Sequence, residues 1–431
     1  MDFVTLSKRS RSKSGRARRR VHSFEPKTHA PRAQTRGGRV PLAPFFSIDR
    51  MKNHKQKYFL LYLKTGAGHF APASSIAHYL SVVHGDSIEP VLIDGLTDAK
   101  SFPRSIIESG YRLLQARAKW YYEFLYATNK FPPIGYLNVA IANFFIKPYL
   151  KKRIDEERPK KIVIFHFFLI APVLDILREL QYQIPVVTTV TDPFTAHPLW
   201  FQRAEQRYIV FSERLKKYCI DLRKIPEAQL QVFPFIIDEK FSTPLPPAEI
   251  TAVKQKYGFA LNKKCVLIIG GGDGIPNGKN ILRQLLHASL DVEIAVVCGK
   301  NKQLHAAALE LQLHFPSLKV FGFIDFVYEL LNASDIVITK CGASTIMEIL
   351  MMKKIPIIND YIWEQELGNM EFVRDNELGI FERNIAKLPS IVRKLVSDEK
   401  EYERFRQNME KMEIRSGTRD VAEYLITMNN D

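Results

Sequence analysis

Cysteine is scarce in this chain: four residues in 431, at positions 219, 265, 298 and 341, with no Cys-x-x-Cys pair. That excludes a zinc ribbon and a disulfide-stapled scaffold. It fits a reducing compartment, with the thiols read as small buried side chains. Long apolar runs are missing too. The most apolar stretch, Ile162 to Leu174, carries His166 and is shorter than the roughly twenty residues a spanning helix needs. Contact with a bilayer would then be peripheral. Acidic charge is short, with 46 Asp and Glu against 62 Lys and Arg, a net +16. Thirteen of those bases and three acids fall in residues 1–50, so +10 lies there and +6 in the rest. No DxD motif, no P-loop Lys-Ser/Thr and no repeat of fixed period occurs, so a metal–diphosphate clamp and a nucleoside-triphosphate loop have no sequence support.

What is present divides the chain. Residues 1–55 have no apolar periodicity and read as a disordered basic arm, as an Arg- and Ser-rich transit segment, or as sequence ahead of a true start at Met51. From Tyr58 strands and helices alternate, which implies parallel sheets with right-handed crossovers. In the first half strands are expected at 58–64, 90–94, 161–167, 185–191, 207–212 and 230–235. The second half has them at 265–269, 292–298, 318–321, 335–339 and 355–358, with helices at about 277–290, 302–314, 342–352 and 368–376. The expected organisation is a first α/β domain over 56–240, a Pro-containing linker over 241–262, a second domain over 263–385, and C-terminal helices over 386–431. Residues 101–157 break the alternation and are rich in aromatic and basic side chains.

Three Gly-rich turns follow apolar strands, where backbone N–H groups and helix N-termini can meet phosphates. The first, Thr65-Gly66-Ala67-Gly68-His69, places His69 at a helix start, where the helix dipole favours neutral imidazole. Such a ring can accept a proton from a hydroxyl; a purely structural histidine is the other reading. The second is Gly270-Gly271-Gly272-Asp273-Gly274, whose density implies close backbone approach, suited to a diphosphate. The third, Thr339-Lys340-Cys341-Gly342-Ala343-Ser344-Thr345, opens a helix that carries Glu348 one turn in, where a carboxylate can accept both hydroxyls of a ribose. Gln365, Glu366 and Asn369 follow at one-turn spacing, which would put Gln365 and Asn369 on one helix face. The loop Thr191–Trp200 gathers Asp192, His197 and Trp200 at the edge of the first sheet.

The blocks GAGH, TDPFTAHPLW, GGGDG, VVCGKN, VFGF, TKCGASTIMEIL and IINDYIWEQELGN, in this order over Tyr58 to Phe381, resemble the monogalactosyldiacylglycerol synthase family, which includes bacterial processive diacylglycerol glucosyltransferases. The similarity extends, more distantly, to the peptidoglycan N-acetylglucosaminyltransferase that acts on lipid intermediate I. The resemblance implies an α/β GT-B fold of two Rossmann-like domains facing a cleft, an inverting transfer of galactose or glucose from a UDP-sugar to diacylglycerol, and no metal or other cofactor. It further implies His69 as general base, with Gly271, Gly272 and Asp273 near the diphosphate or sugar. Phe323 would lie near the uracil. Lys340, Gly342, Ser344 and Thr345 would lie at the phosphate turn, Glu348 on the ribose, and Gln365, Glu366 and Asn369 near the sugar and the diphosphate. Gly66, Gly68, Asp192, His197 and Trp200 would line the acceptor side of the cleft.

Two departures stand out. Trp363-Glu364 replaces the family's usual Pro-Gly before the Gln-Glu pair, and Cys341-Gly342-Ala343-Ser344-Thr345 replaces Ala-Gly-Pro-Gly-Thr. The first leaves the identity of the sugar open. With a lipid acceptor, the 101–157 surface, including Lys119 and Trp120, reads as a contact with an anionic membrane: each base there adds roughly 1 kcal/mol and aromatics anchor at the interface. Packing of those aromatics in the core is the other reading. The expected location is the cytoplasmic face of a membrane, with organelle targeting tied to residues 1–50. Three rivals differ in kind: transfer to another lipid such as a polyprenyl-diphosphate sugar, a non-catalytic relative on a decayed transferase fold, and nucleic-acid binding, which rests on the basic arm alone.

Overall fold

The computed structural model describes residues 55–64, 67–97, 123–124 and 127–428. The basic arm, Gly66, Lys119 and Trp120 lie outside the described residues. Residues 53–431 fall in one compact unit, which contains two six-stranded parallel sheets.

The first sheet has the order β2-β1-β3-β4-β5-β6, with β1 Gln56–Tyr62, β2 Ile88–Asp94, β3 Lys161–Ile164, β4 Val186–Thr189, β5 Arg207–Val210 and β6 Leu230–Val232. The second has the order β12-β11-β10-β7-β8-β9, with β7 Lys264–Ile269, β8 Val292–Val297, β9 Leu318–Phe321, β10 Ile336–Lys340, β11 Ile355–Asp360 and β12 Ile380–Phe381. Strands covered on both faces must be apolar throughout. Phe59, Leu60 and Leu61 of β1 and Val266, Leu267 and Ile268 of β7 are fully buried. Each sheet reverses its strand order once, between β1 and β3 and between β7 and β10. Ligands of open α/β sheets bind beyond the carboxyl ends of the strands at such reversals. The GAGH turn follows β1, and the two remaining Gly-rich turns follow β7 and β10.

Several expected strands end early. The strand expected over 161–167 stops at Ile164, because His166 accepts the Phe168 N–H at 3.2 Å and turns the chain into a short 3-10 segment. The 241–262 stretch contains α5, Pro247–Lys256, whose Val253 is buried in the second domain's core. It is therefore packed structure and not a bare tether. Residues 132–157 form one helix, α2, Pro132–Glu157. One side, with Ala142, Ile146, Leu150 and Ile154, is in the core.

The remaining elements are α1 Ala67–Val83, α3 Ile170–Leu180, α4 Glu213–Asp221, α6 Gly278–His287, α7 Lys302–His314, α8 Val327–Ala333, α9 Ala343–Met351, α10 Leu367–Asp375, α11 Leu388–Ser397, α12 Glu399–Lys411 and α13 Thr418–Thr427. The last of these returns to the first domain. Glu423 of α13 accepts from Tyr79 Oη at 3.0 Å and lies 2.9 Å from His84 Nε2, both at the end of α1 or just beyond it. The buried Lys161 caps the helix by donating to the carbonyls of Leu425, Ile426 and Met428. Cations at a helix C-terminus satisfy its free carbonyls and its dipole together.

Candidate active site

His69 lies in the first turn of α1, directly beyond β1. It is buried, with Nδ1 2.9 Å from Thr191 Oγ1. Its ring meets His166 edge-on at 4.5 Å, and Trp200 lies at 6.2 Å. Burial pushes the imidazole down to about 4, opposed in part by a hydrogen bond to the Phe165 backbone. His69 is therefore neutral at physiological pH, the form a base requires. His166 is lowered well below its ordinary value, by burial and then by His69.

Residues 191–200 follow β4. Asp192 accepts from Trp200 Nε1 at 3.0 Å and is hydrogen-bonded to Gln365 of the second domain. Burial pushes its carboxyl up to about 7, the two hydrogen bonds oppose this, and Glu366 adds to it. Trp200 is fully buried, so it cannot line an open cleft as the sequence suggested; it acts on the cleft by holding Asp192. His197 is buried as well, and its Nδ1 accepts the Leu199 N–H at 3.1 Å, capping the 198–201 3-10 turn.

The same loop docks on the second domain. Thr195 Oγ1 donates to the carbonyls of Glu364 and Gln365 at 3.0 and 3.2 Å. The Gly368 N–H reaches Thr195 Oγ1 at 3.4 Å. Phe194 stacks on Phe372 with ring centres 4.3 Å apart. Arg214–Glu371 at 2.7 Å and Lys130–Glu364 add ion pairs across this seam.

In the second domain, Gly342 is the N-cap of α9. It has extended backbone angles and no side chain to cap the helix. The first helical N–H groups have no intrahelical partner and stand free for a ligand. Ser344 Oγ and Asn369 Oδ1 are buried with no hydrogen-bond partner among the described residues. Asn369 Nδ2 donates to the Cys341 carbonyl at 2.9 Å, which fixes the turn from beneath. Unsatisfied buried polar atoms cost roughly 1–3 kcal/mol each. Ser344 Oγ by the helix N-terminus can donate to an anionic ligand, and Asn369 Oδ1 can accept from a ligand hydroxyl. Across the sheet reversal, the 270–274 loop packs against 298–300: Lys300 N–H donates to the Gly272 carbonyl at 2.8 Å. Gly271 has φ +81°, and nothing lies within 4 Å of a Cβ built on Gly271 or Gly272. The loop thus leaves open space above its backbone. Asp273 is exposed at its tip. Phe323 is 64% exposed, with Lys300 Nζ 5.0 Å from its ring centre.

One expectation needs correction. Gln365 and Asn369 do not share a helix face. Glu364 has φ +61°, and α10 starts only at Leu367. The turn sends Gln365 toward Asp192 and buries Asn369 under Gly342. Glu366 is committed inside its own domain: Oε1 accepts from Lys340 Nζ at 2.6 Å and Oε2 from the Ile362 N–H at 2.9 Å. That pair also neutralises Lys340. Glu348 is half-buried, and burial pushes its carboxyl up to about 8, with Lys240 and Asp238 as its charged neighbours. The sequence missed the Thr195–Gly368 contact, since nothing in either segment alone marks a cross-domain pair. Among the described residues no group of three or more His, Cys, Asp or Glu could hold a metal ion.

Two Rossmann-type domains that meet through such a cleft define the GT-B class, and solved structures agree at the level of the fold. MurG of Acinetobacter baumannii matches with a TM-score of 0.55 and 14% identity, over 86% of this chain and all of that one. The family model for monogalactosyldiacylglycerol synthase matches residues 69–235, and that for the glycosyltransferase family 28 C-terminal domain matches residues 266–425. Monogalactosyldiacylglycerol synthase 1 of Arabidopsis thaliana is 29% identical over 354 residues, 80% of this chain and 64% of that protein. The processive diacylglycerol beta-glucosyltransferase of Bacillus pumilus is 28% identical over 290 residues, 65% of this chain and 74% of that protein. The chain is thus similar to the monogalactosyldiacylglycerol synthase family over its first domain, and spans 64% of the length of these plant relatives.

Proposed function

We propose that this chain transfers a hexose from a UDP-sugar to diacylglycerol, by a single displacement that inverts the anomeric centre. The observation that carries the reading is the docking of residues 191–195 on residues 364–368, which puts buried, neutral His69 of the first domain at the same cleft as the α9 N-terminus of the second. His69 takes the proton of the acceptor hydroxyl. The hydroxyl oxygen bonds to the anomeric carbon, and the bond to the diphosphate oxygen breaks. UDP leaves against the free N–H groups at residues 343–345, with Ser344 Oγ and the open backbone of Gly271 and Gly272 completing its cradle. These donors oppose the charge that develops on the leaving group, so no metal is required. Asp192 and Gln365 orient one side of the sugar, and exposed Phe323 offers a face to the uracil. Glu348, when ionised, accepts from the ribose.

The test is a labelled UDP-sugar assay with diacylglycerol in mixed micelles, with UDP-galactose and UDP-glucose run separately. A labelled lipid is expected from at least one donor, at a rate unchanged by EDTA. UDP binding without any lipid product would sink the diacylglycerol assignment. A rate abolished by EDTA would sink the metal-free chemistry.

The lipid acceptor also gives the outer face of α2 a role. No described helix is long and apolar enough to cross a membrane, yet Ile134, Leu137, Ile141 and Phe144 stand exposed at spacings that place them on one face. Leu137 is 60% and Phe144 76% exposed. A helix apolar on both faces, with one in the core, presents the other to something non-aqueous. The proposed partner is the interfacial layer of an anionic membrane, reached peripherally from its cytoplasmic face, with Lys151 and Lys152 near the apolar stripe. Leu137→Glu and Phe144→Glu should each weaken vesicle flotation by roughly tenfold, the equivalent of losing one buried large apolar side chain. Flotation equal to the parent protein would refute the docking face.

A further inference from the structure

The chain passes from the first domain to the second through residues 235–245 and returns through 412–418. These two passages are bonded to each other. The Gly417 N–H donates to the Phe235 carbonyl at 2.8 Å. Ser416 Oγ and Thr418 Oγ1 donate to the Ile237 carbonyl at 2.6 and 2.7 Å. A Cβ on Gly417 would stand 1.9 Å from the Pro234 carbonyl oxygen, so this approach needs glycine.

A cavity of about 1050 Å³ opens beside the seam. One wall comes from the two passages and the start of α13. The other comes from the second domain, at the amino ends of its strands: Asp335 precedes β10 and Lys354 precedes β11. The cleft described above lies at the opposite, carboxyl ends, so the cavity is a separate place.

Its lining is unbalanced in charge. Lys353, Lys354, Arg406, Arg415 and Arg419 face three carboxylates. Those carboxylates are largely engaged or outlying. Asp420 pairs with Arg415 at 2.5 Å, Asp335 accepts the Cys265 N–H at 2.8 Å, and Glu239 is exposed. Lys353 is drawn away to Glu410 at 2.9 Å. Three cations keep spare donors. Lys354 Nζ spends one N–H on the Asn332 carbonyl at 3.1 Å. Arg406 spends one on Glu403 at 3.0 Å. Arg419 has no hydrogen bond or ion pair among the described residues. Lys354 is also short of solvation: burial pushes its ammonium down to about 8, Asp335 offsets this only in part and Arg406 adds to it, so a further anion there would be favoured. Forked guanidinium groups and an ammonium around one polar cavity match a phosphate dianion.

We propose that this cavity is a second ligand site, which takes the phosphate of a small phosphomonoester between Lys354, Arg406 and Arg419. Such a ligand would touch both domains, since α13 is held on α1 while Lys354 and Arg406 belong to the second sheet's layer.

The full chain, with its cleft saturated by UDP, is titrated calorimetrically with glycerol 3-phosphate. In parallel it is floated with phosphatidylcholine vesicles with and without a lipid phosphomonoester. The soluble ester should bind, and R406Q/R419Q should weaken it at least about tenfold, with UDP affinity measured alone unchanged. Capture by ester-bearing vesicles only, lost in the same variant, would keep the site and assign it to a lipid headgroup. Binding of neither form, or binding of equal strength in the variant, would overturn the proposal.

Discussion

His69→Ala should lower turnover by roughly 10²–10⁴-fold, the usual contribution of a positioned base, while UDP affinity stays near the parent value. The separation follows from the fold. His69 belongs to the first domain, at the start of α1, whereas the free N–H groups proposed for the diphosphate belong to α9 in the second. Loss of UDP affinity along with turnover would instead mean that His69 holds the domains in register. Thr191 sharpens the test, because its Oγ1 lies within hydrogen-bond distance of His69 Nδ1, at 2.9 Å. Thr191→Val keeps the shape and deletes the hydroxyl, so it should lower kcat with little effect on UDP affinity.

The pH profile of the parent enzyme separates the two titratable groups at the cleft. Burial lowers His69 to about 4. A reaction that needs neutral imidazole therefore keeps its base as pH falls through 6.5, and loses it only near 4. Burial raises Asp192 to about 7, so its carboxylate is lost as pH falls through the neutral range. An acid limb of kcat/KM near 7 would report Asp192 and should disappear in Asp192→Asn. A limb below 5 would report His69. A limb at 6.5, insensitive to Asp192→Asn, would contradict the buried environment of His69.

The alternating sheets were legible because doubly covered strands must be apolar runs, and β1, β7 and β10 are. The Gly-rich turns were legible for a related reason: a backbone that must approach a phosphate or reverse tightly needs glycine, as Gly271 at φ +81° and Gly274 at φ +75° do. Polar residues beside those turns were harder to read. Glu366 has the charge of a ligand-binding residue, yet spends both oxygens on Lys340 and on the Ile362 N–H. Trp200 has the size of a cleft-lining aromatic, yet is buried behind Asp192. Sequence spacing locates a residue along its element, but what its side chain faces depends on where distant segments fold. The return of α13 to α1 is a case of this: Tyr79 and Glu423 are 344 positions apart.

The second large effect should come from a glycine that touches no ligand in the proposed reaction. A Cβ on Gly368 would lie 2.8 Å from both Phe194 Cβ and Thr195 Cγ2. These are first-domain atoms, and Gly368 sits in the first turn of second-domain helix α10. Gly368→Val therefore pushes the two domains apart without removing a polar group from the cleft. A misplacement of about 1 Å between base and donor can cost on the order of 10²-fold, so kcat/KM should fall by about that factor. UDP affinity should change little, since Gly342, Ser344 and the 270–274 loop all stay within one domain. The helix itself is not at risk, because valine costs less than glycine in helix propensity. Loss of UDP affinity equal to the loss of kcat/KM would show that the variant has disturbed the second domain itself. Unchanged turnover would show that residues 191–195 need not rest on α10 for the sugar to move.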